Sequence, residues 1–130
     1  ALFDAHRDEM EGHGIHTGTL IATVGGAGVI IEPCLYWPDA SNPLINATVE
    51  KAHLDKLPKH APNAAAWAIT EQIKAGLVDL FTTHNAVHLQ IGRTYKYLDS
   101  LDPAGQKLLS AVKATVDPQG KMNPGSLGLG

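Results

Sequence analysis

The alternation of apolar and polar positions changes period several times along the chain. Leu2 to Gly14 carries Asp4, His6, Arg7, Asp8, Glu9 and Glu11 among few apolar positions, which predicts the tail of a helix stopped at Gly12 or Gly14. From Ile15 to Val24, Thr17, Thr19, Ile21 and Thr23 alternate with Gly18, Leu20, Ala22 and Val24, the period and β-branched content of a half-buried strand. Gly25-Gly26-Ala27-Gly28 supplies a turn. Val29 to Trp37 then places Val29, Ile31, Leu35 and Trp37 on one face and Ile30, Glu32, Cys34 and Tyr36 on the other, so the two runs predict a hairpin. Pro33 cannot donate to a ladder and points to an edge, a bulge or an early end of pairing.

Pro38 to Pro43 reads as a polar loop, and Thr48 to Leu57 as a short helix ending before Pro58. Asn63 caps a longer helix in which Ala66, Ile69, Ile73, Leu77 and Leu80 recur at three- and four-residue spacing, and Thr82 to His84 ends it. Val87, Leu89 and Ile91 alternate with His88, Gln90 and Gly92 as a third strand. Asp102-Pro103 starts a last helix whose buried stripe is Leu108, Leu109, Val112 and Val116, with Asp117-Pro118 as its stop. Gln119 to Gly130 is a glycine-rich tail that must dock to be ordered. No repeat and no second domain is visible, so residues 1–130 read as a single α+β domain.

Composition narrows the class. With 130 residues, 44% hydrophobic and 18% charged, the chain is long enough for one core and is neither disordered nor a coiled coil. A formal charge of −3 without a basic run argues against nucleic acid, and the longest apolar stretches fall far short of a membrane span. One cysteine, Cys34, excludes a disulfide scaffold and favours the cytoplasm. The opening Ala1 and the lack of a signal pattern suggest a processed or excised segment of a longer polypeptide.

The candidate chemistry is sparse. His13-x-x-His16 and His84-x-x-x-His88 have metal-like spacing, but one cysteine and no His-Glu-x-x-His pattern leave a zinc site without its ligands or its base, and no metal is expected. Gly25 to Gly28 fits a hairpin turn better than a phosphate loop, because a strand follows it and not a helix. Asn46-Ala47-Thr48 is a chance sequon. Cys34 lies among apolar strand residues, where thiols are usually inert. Tyr36 and Trp37 either line an aromatic substrate wall or pack in the core. His84, His88, Arg93 and Tyr95 flank the third strand, where one sheet end would gather imidazole, cation and phenol around an anionic substrate.

Two segments carry a resemblance. His88-Leu89-Gln90-Ile91-Gly92-Arg93-Thr94-Tyr95-Lys96-Tyr97, then a helix, then Asp117-Pro118-Gln119-Gly120-Lys121-Met122-Asn123-Pro124-Gly125-Ser126-Leu127-Gly128, is similar to the carboxyl end of FAD-linked oxidases of the vanillyl-alcohol oxidase type. The closing Asp-Pro-x-Gly-x-x-Asn-Pro-Gly-x-Leu is its most specific part, and Ile31 to Asp39 also looks like a strand of that family's substrate domain. The likeness is specific over 82–128 and looser before it.

The resemblance implies the C-terminal cap of a two-domain flavoenzyme. Its fold would be a ferredoxin-like antiparallel sheet with helices on one face, and residues 117–130 would return to an N-terminal FAD-binding domain that this chain has no room for. FAD would be the cofactor of the intact enzyme, held mainly by that partner and not tightly by this chain. The substrate would be a hydroxy acid or a phenolic or aryl alcohol, oxidised by hydride transfer to flavin. His84 lies where many relatives have Gly-Glu-His-Gly, here flanked by Thr83 and Asn85. It is then the candidate catalytic histidine, with His88, Arg93 and Tyr95 beside it; Asn123 is the candidate FAD contact and Tyr36 and Trp37 the substrate-binding aromatics. The isolated chain would be inactive, and its uncovered apolar surface would favour homodimers. The alternative is a small ferredoxin-like ligand-binding or regulatory module without catalysis, and a zinc hydrolase would require bound metal.

Overall fold

The computed structural model describes every residue except Leu89, Ile91 and Gly130. Its content is α+β, a two-stranded antiparallel sheet and six α-helices, in two compact units, 1–73 and 74–130. Among the described residues no helix is long and apolar enough to cross a membrane.

In the first unit the opening helical segment is two short pieces, α1 (Leu2–Ala5) and α2 (Arg7–Gly12), interrupted at His6, where φ is −108° and ψ 10°. Gly14 takes a φ of +67°, and the Ile15 N–H then donates back to the Met10 carbonyl at 2.8 Å. Met10 and Ile15, at the two ends of this closure, are both buried.

Strands β1 (His16–Val24) and β2 (Gly28–Tyr36) pair from His16 opposite Tyr36 to Val24 opposite Gly28. Gly25, at φ +59°, makes the turn possible. Pro33 sits opposite Thr19 with no bulge, which a two-stranded ribbon tolerates because each strand is an edge. The register puts Ile21, Val29 and Ile31 on one face and Leu20 and Val24 on the other, and all five are exposed.

The helix expected over 48–57 is instead α3 (Pro43–Thr48) and α4 (Lys51–Leu54). The cause is local: the Asn42 side chain accepts from Ile45 N–H at 2.9 Å, and Pro43 presets the first turn. Helix α5 (Ala64–Thr83) starts as expected, with Asn63 Oδ1 accepting from Ala66 N–H at 3.1 Å. Ala66 and Ile73 of its apolar line are buried, while Leu80 is exposed.

In the second unit α5 ends in a Schellman closure: Ala86 N–H donates to the Phe81 carbonyl and Asn85 N–H to that of Thr82, with Asn85 left-handed at φ +53°. Of the expected third strand, Leu89 and Ile91 lie outside the described residues, and Val87, His88, Gln90 and Gly92 form none. The closure turns the chain back so that His88 meets Phe81 of α5 edge-on, and among the described residues of this unit no strand is formed. A 3₁₀ turn (Leu98–Ser100) precedes α6 (Pro103–Val116), which Asp102 caps through Ala104 and Gly105 N–H.

Of the stripe expected to be buried on α6, Leu109 is half-buried, while Leu108 at 67%, Val112 at 49% and Val116 at 64% are exposed. The better covered line runs through Gly105, Leu109, Lys113 and Asp117 and shares only Leu109 with the expected stripe, because the tail folds back onto the Lys113–Asp117 side. Both units are thinly covered. The accessible surface is 9496 Å², whereas two separate compact bodies of these sizes would together expose about 8,000 Å².

Candidate functional site

His88, Arg93, Tyr95 and Asn123 belong to the second unit, where the tail meets the segment before α6. Asp117 ends α6 and collects the chain that follows it. Its Oδ1 accepts from Lys121 N–H at 2.9 Å, and its Oδ2 accepts from Met122 N–H at 2.8 Å and from Lys113 Nζ at 2.6 Å. Lys113 Nζ also donates to the Met122 carbonyl. Both side chains are well covered, Asp117 at 6% and Lys113 at 16% exposure. The Lys113 ammonium, followed by the Met122 N–H, holds the Asp117 carboxyl below the usual range, against the opposing effect of burial.

Beyond Met122 the chain turns on left-handed residues, Asn123 at φ +45°, Gly125 at +79° and Leu127 at +61°. Leu127 N–H then donates to the Gly92 carbonyl at 3.3 Å, and Gly125 lies against the aliphatic stem of Arg93. The tail and the Gly92–Arg93 stretch thus touch within one unit.

His88 is tilted against Tyr95 at 5.3 Å and edge-on to Phe81 at 6.2 Å, and its Nε2 is buried without a hydrogen-bond partner. Tyr95 donates its hydroxyl hydrogen to Gln90. Arg93 and Asn123 are exposed, and neither side chain has a polar partner among the described residues. His84 is exposed at the end of α5. The structure therefore brings together His88 with Tyr95, and Arg93 with the turn after Asn123, while His84 joins neither. Among the described residues no group of three or more His, Cys, Asp or Glu could hold a metal. An open hollow of about 450 Å³ in this unit is floored by Lys113 and Asp117, not by the candidate residues.

Tyr36 and Trp37 belong to the first unit. Tyr36 is 61% exposed and leans over Gly18; the Cys34 thiol beside it raises its hydroxyl above the ordinary phenol value. Cys34 is half-buried and also donates to the Glu32 carbonyl. Trp37 packs T-shaped on Trp67 at 5.0 Å. Asp39 is the hub of this cluster, accepting from Asn63 N–H and Ala40 N–H and from the Trp67 indole. The Asn63 N–H is the main cause of its lowered pKa; burial opposes it, and the Trp67 indole and the Ala40 N–H add to it. Inspection of the sequence alone missed Lys113, Asp39, Gln90 and Phe81. Only Lys113 had a readable signal, its i,i+4 spacing to Asp117.

Set against protein families, curated proteins and solved structures, the chain matches none.

Proposed function

We propose that this chain is the substrate-binding cap of an FAD-dependent oxidoreductase of the vanillyl-alcohol oxidase type, acting in the cytoplasm on a hydroxy acid or an aryl alcohol. The observation that carries the reading is the docking of the Asn123-Pro124-Gly125 tail on Gly92 and Arg93, because these are the segments with the family pattern and they have no sequence reason to meet otherwise. Exposed Arg93, without an ion-pair partner, suits a substrate carboxylate or phenolate. The free Asn123 amide, on a turn that presents it to solvent, fits a contact to FAD, which when bound supplies hydride acceptance. Exposed His84 takes the substrate hydroxyl proton, with the Tyr95 oxygen open as a further acceptor, while His88, its Nε2 buried, packs against the Tyr95 ring. Tyr36, exposed, remains the aromatic surface for an aryl substrate, while the Trp37 ring is already engaged by Trp67.

In the intact enzyme the β1–β2 hairpin is part of a larger, ferredoxin-like sheet. The support is its apolar cover on both faces, a pattern that belongs to strands enclosed from both sides. The same surface makes homodimers of the isolated chain expected.

The test is the size of the native polypeptide, read by immunoblot of a source extract. A band several times larger than 13.8 kDa supports the cap, and a band at that size refutes it. In the larger protein, replacing His84 or Arg93 abolishes oxidase turnover; wild-type turnover in both variants removes them from the site.

A further inference from the structure

The tail from Asp117 to Leu129 has little apolar material to hold it, since Asp117 and Leu129 are its only buried residues. It is nevertheless fixed at two places. At its far end Gly125 N–H donates to the Leu129 carbonyl at 2.8 Å, Leu127 bonds Gly92, and Gly128 lies hard against Leu98. At its near end the Asp117 carboxylate and the Lys113 ammonium bind Lys121 N–H, Met122 N–H and the Met122 carbonyl. Asn123 is the next residue, in a left-handed conformation that costs an asparagine free energy unless its neighbours hold it there.

The geometry points to Lys113 and Asp117 as a clamp that sets the register of the tail and thereby positions the Asn123 turn against Gly92 and Arg93. An apolar pair could fill the same space, but it could not select Lys121 and Met122 N–H over their neighbours. Directional bonds to one carboxylate do that, and Lys113 reaching the Met122 carbonyl fixes the same peptide unit from its other side. Both are positioning residues, with no contact of their own to substrate. That consequence for catalysis rests on the oxidase reading, whereas the clamp itself does not.

Two variants of the 130-residue chain test it by NMR and amide hydrogen exchange. Asp117→Asn turns an acceptor into a donor facing Met122 N–H and Lys113, and Lys113→Met removes the ammonium while keeping its stem. In both, the amide resonances of Met122, Gly125 and Leu127 shift and the Leu127 amide exchanges at least tenfold faster, while Ala86 at the α5 closure is unmoved. Lys113→Arg restores the wild-type positions. Unmoved tail amides in Lys113→Met overturn the clamp, and that milder variant decides if Asp117→Asn does not fold. In the larger oxidase, Lys113→Met raises KM for the substrate several-fold with kcat nearly kept; an unchanged KM refutes positioning. If the wild-type polypeptide oxidises nothing, the flavoenzyme reading fails and the NMR result stands alone.

Discussion

Asn63 joins three segments of the first unit through one side chain, which makes its replacement a sharp test of how that unit is held. Its Oδ1 caps α5 by accepting from Ala66 N–H, and its Nδ2 donates to the His13 carbonyl at 3.3 Å and the Pro38 carbonyl at 3.4 Å. Losing the cap costs about 1 kcal/mol. The two amide bonds are long and partly open to water, so together they add about 0.5 kcal/mol. Asn63→Ala should therefore destabilise the first unit by about 1.5 kcal/mol, or roughly 6–12 °C in a body of that size. Asn63→Ser keeps a capping oxygen and should lose only about 0.5 kcal/mol. Thermal and urea unfolding followed by Trp fluorescence reads this directly, because Trp37 and Trp67 both lie in that unit. Equal losses in the two variants would refute the capping argument, and a loss below about 0.3 kcal/mol in Asn63→Ala would refute the hub as a whole.

Ile73, with 0% exposure, is the one large side chain fully enclosed among the described residues. Ile73→Ala should cost about 2–5 kcal/mol, whereas Leu108→Ser on the uncovered face of α6 should stay within about 0.5 kcal/mol; a comparable loss for Leu108 in urea titrations would restore the buried stripe. The lowered pKa values of Asp39 and Asp117 give stability that is complete above the unfolded value of 3.8 and lost as pH falls through the still lower folded values. Asp39→Asn should accordingly flatten the acid-unfolding curve of the first unit below pH 3.8 and leave that of the second unchanged, and an unchanged acid midpoint in both would exclude the Asp39 hub as the acid-sensitive group.

Elements whose causes are local were legible. Alternation gave the hairpin because period-2 pairing needs only the two strands, and Asn63 and Asp102 marked helix starts because a cap acts within one turn. Asn42-Pro43 is the same signal as Asp102-Pro103, but the polar run from Pro38 read as loop and concealed α3. Failures came where a partner decides. Val87 to Ile91 alternates like a strand, yet alternation does not supply an edge to pair with. Leu108, Leu109, Val112 and Val116 form the expected apolar stripe, yet the tail is held on the side of Lys113 and Asp117, and of the four only Leu109 is half-buried.

The candidate site divides in the same way. His84 and His88 are four apart, which on a helix would put both imidazoles on one face. The left-handed Asn85 ends α5 between them, so His84 stays in solvent at the helix end while His88 turns onto Phe81 and Tyr95. Lys113 and Asp117 have the same spacing, and there α6 continues unbroken to Val116, so the pair forms. A spacing argument thus holds only inside one element. What makes the second pair consequential is not its spacing but Gly120 at φ +63°, which lets the chain reverse and bring two backbone N–H groups to a carboxylate already neutralised by its lysine. That reversal was legible only as a glycine in a tail, and its partner, the Gly92–Arg93 segment, lies too far along the chain for local pattern to pair them.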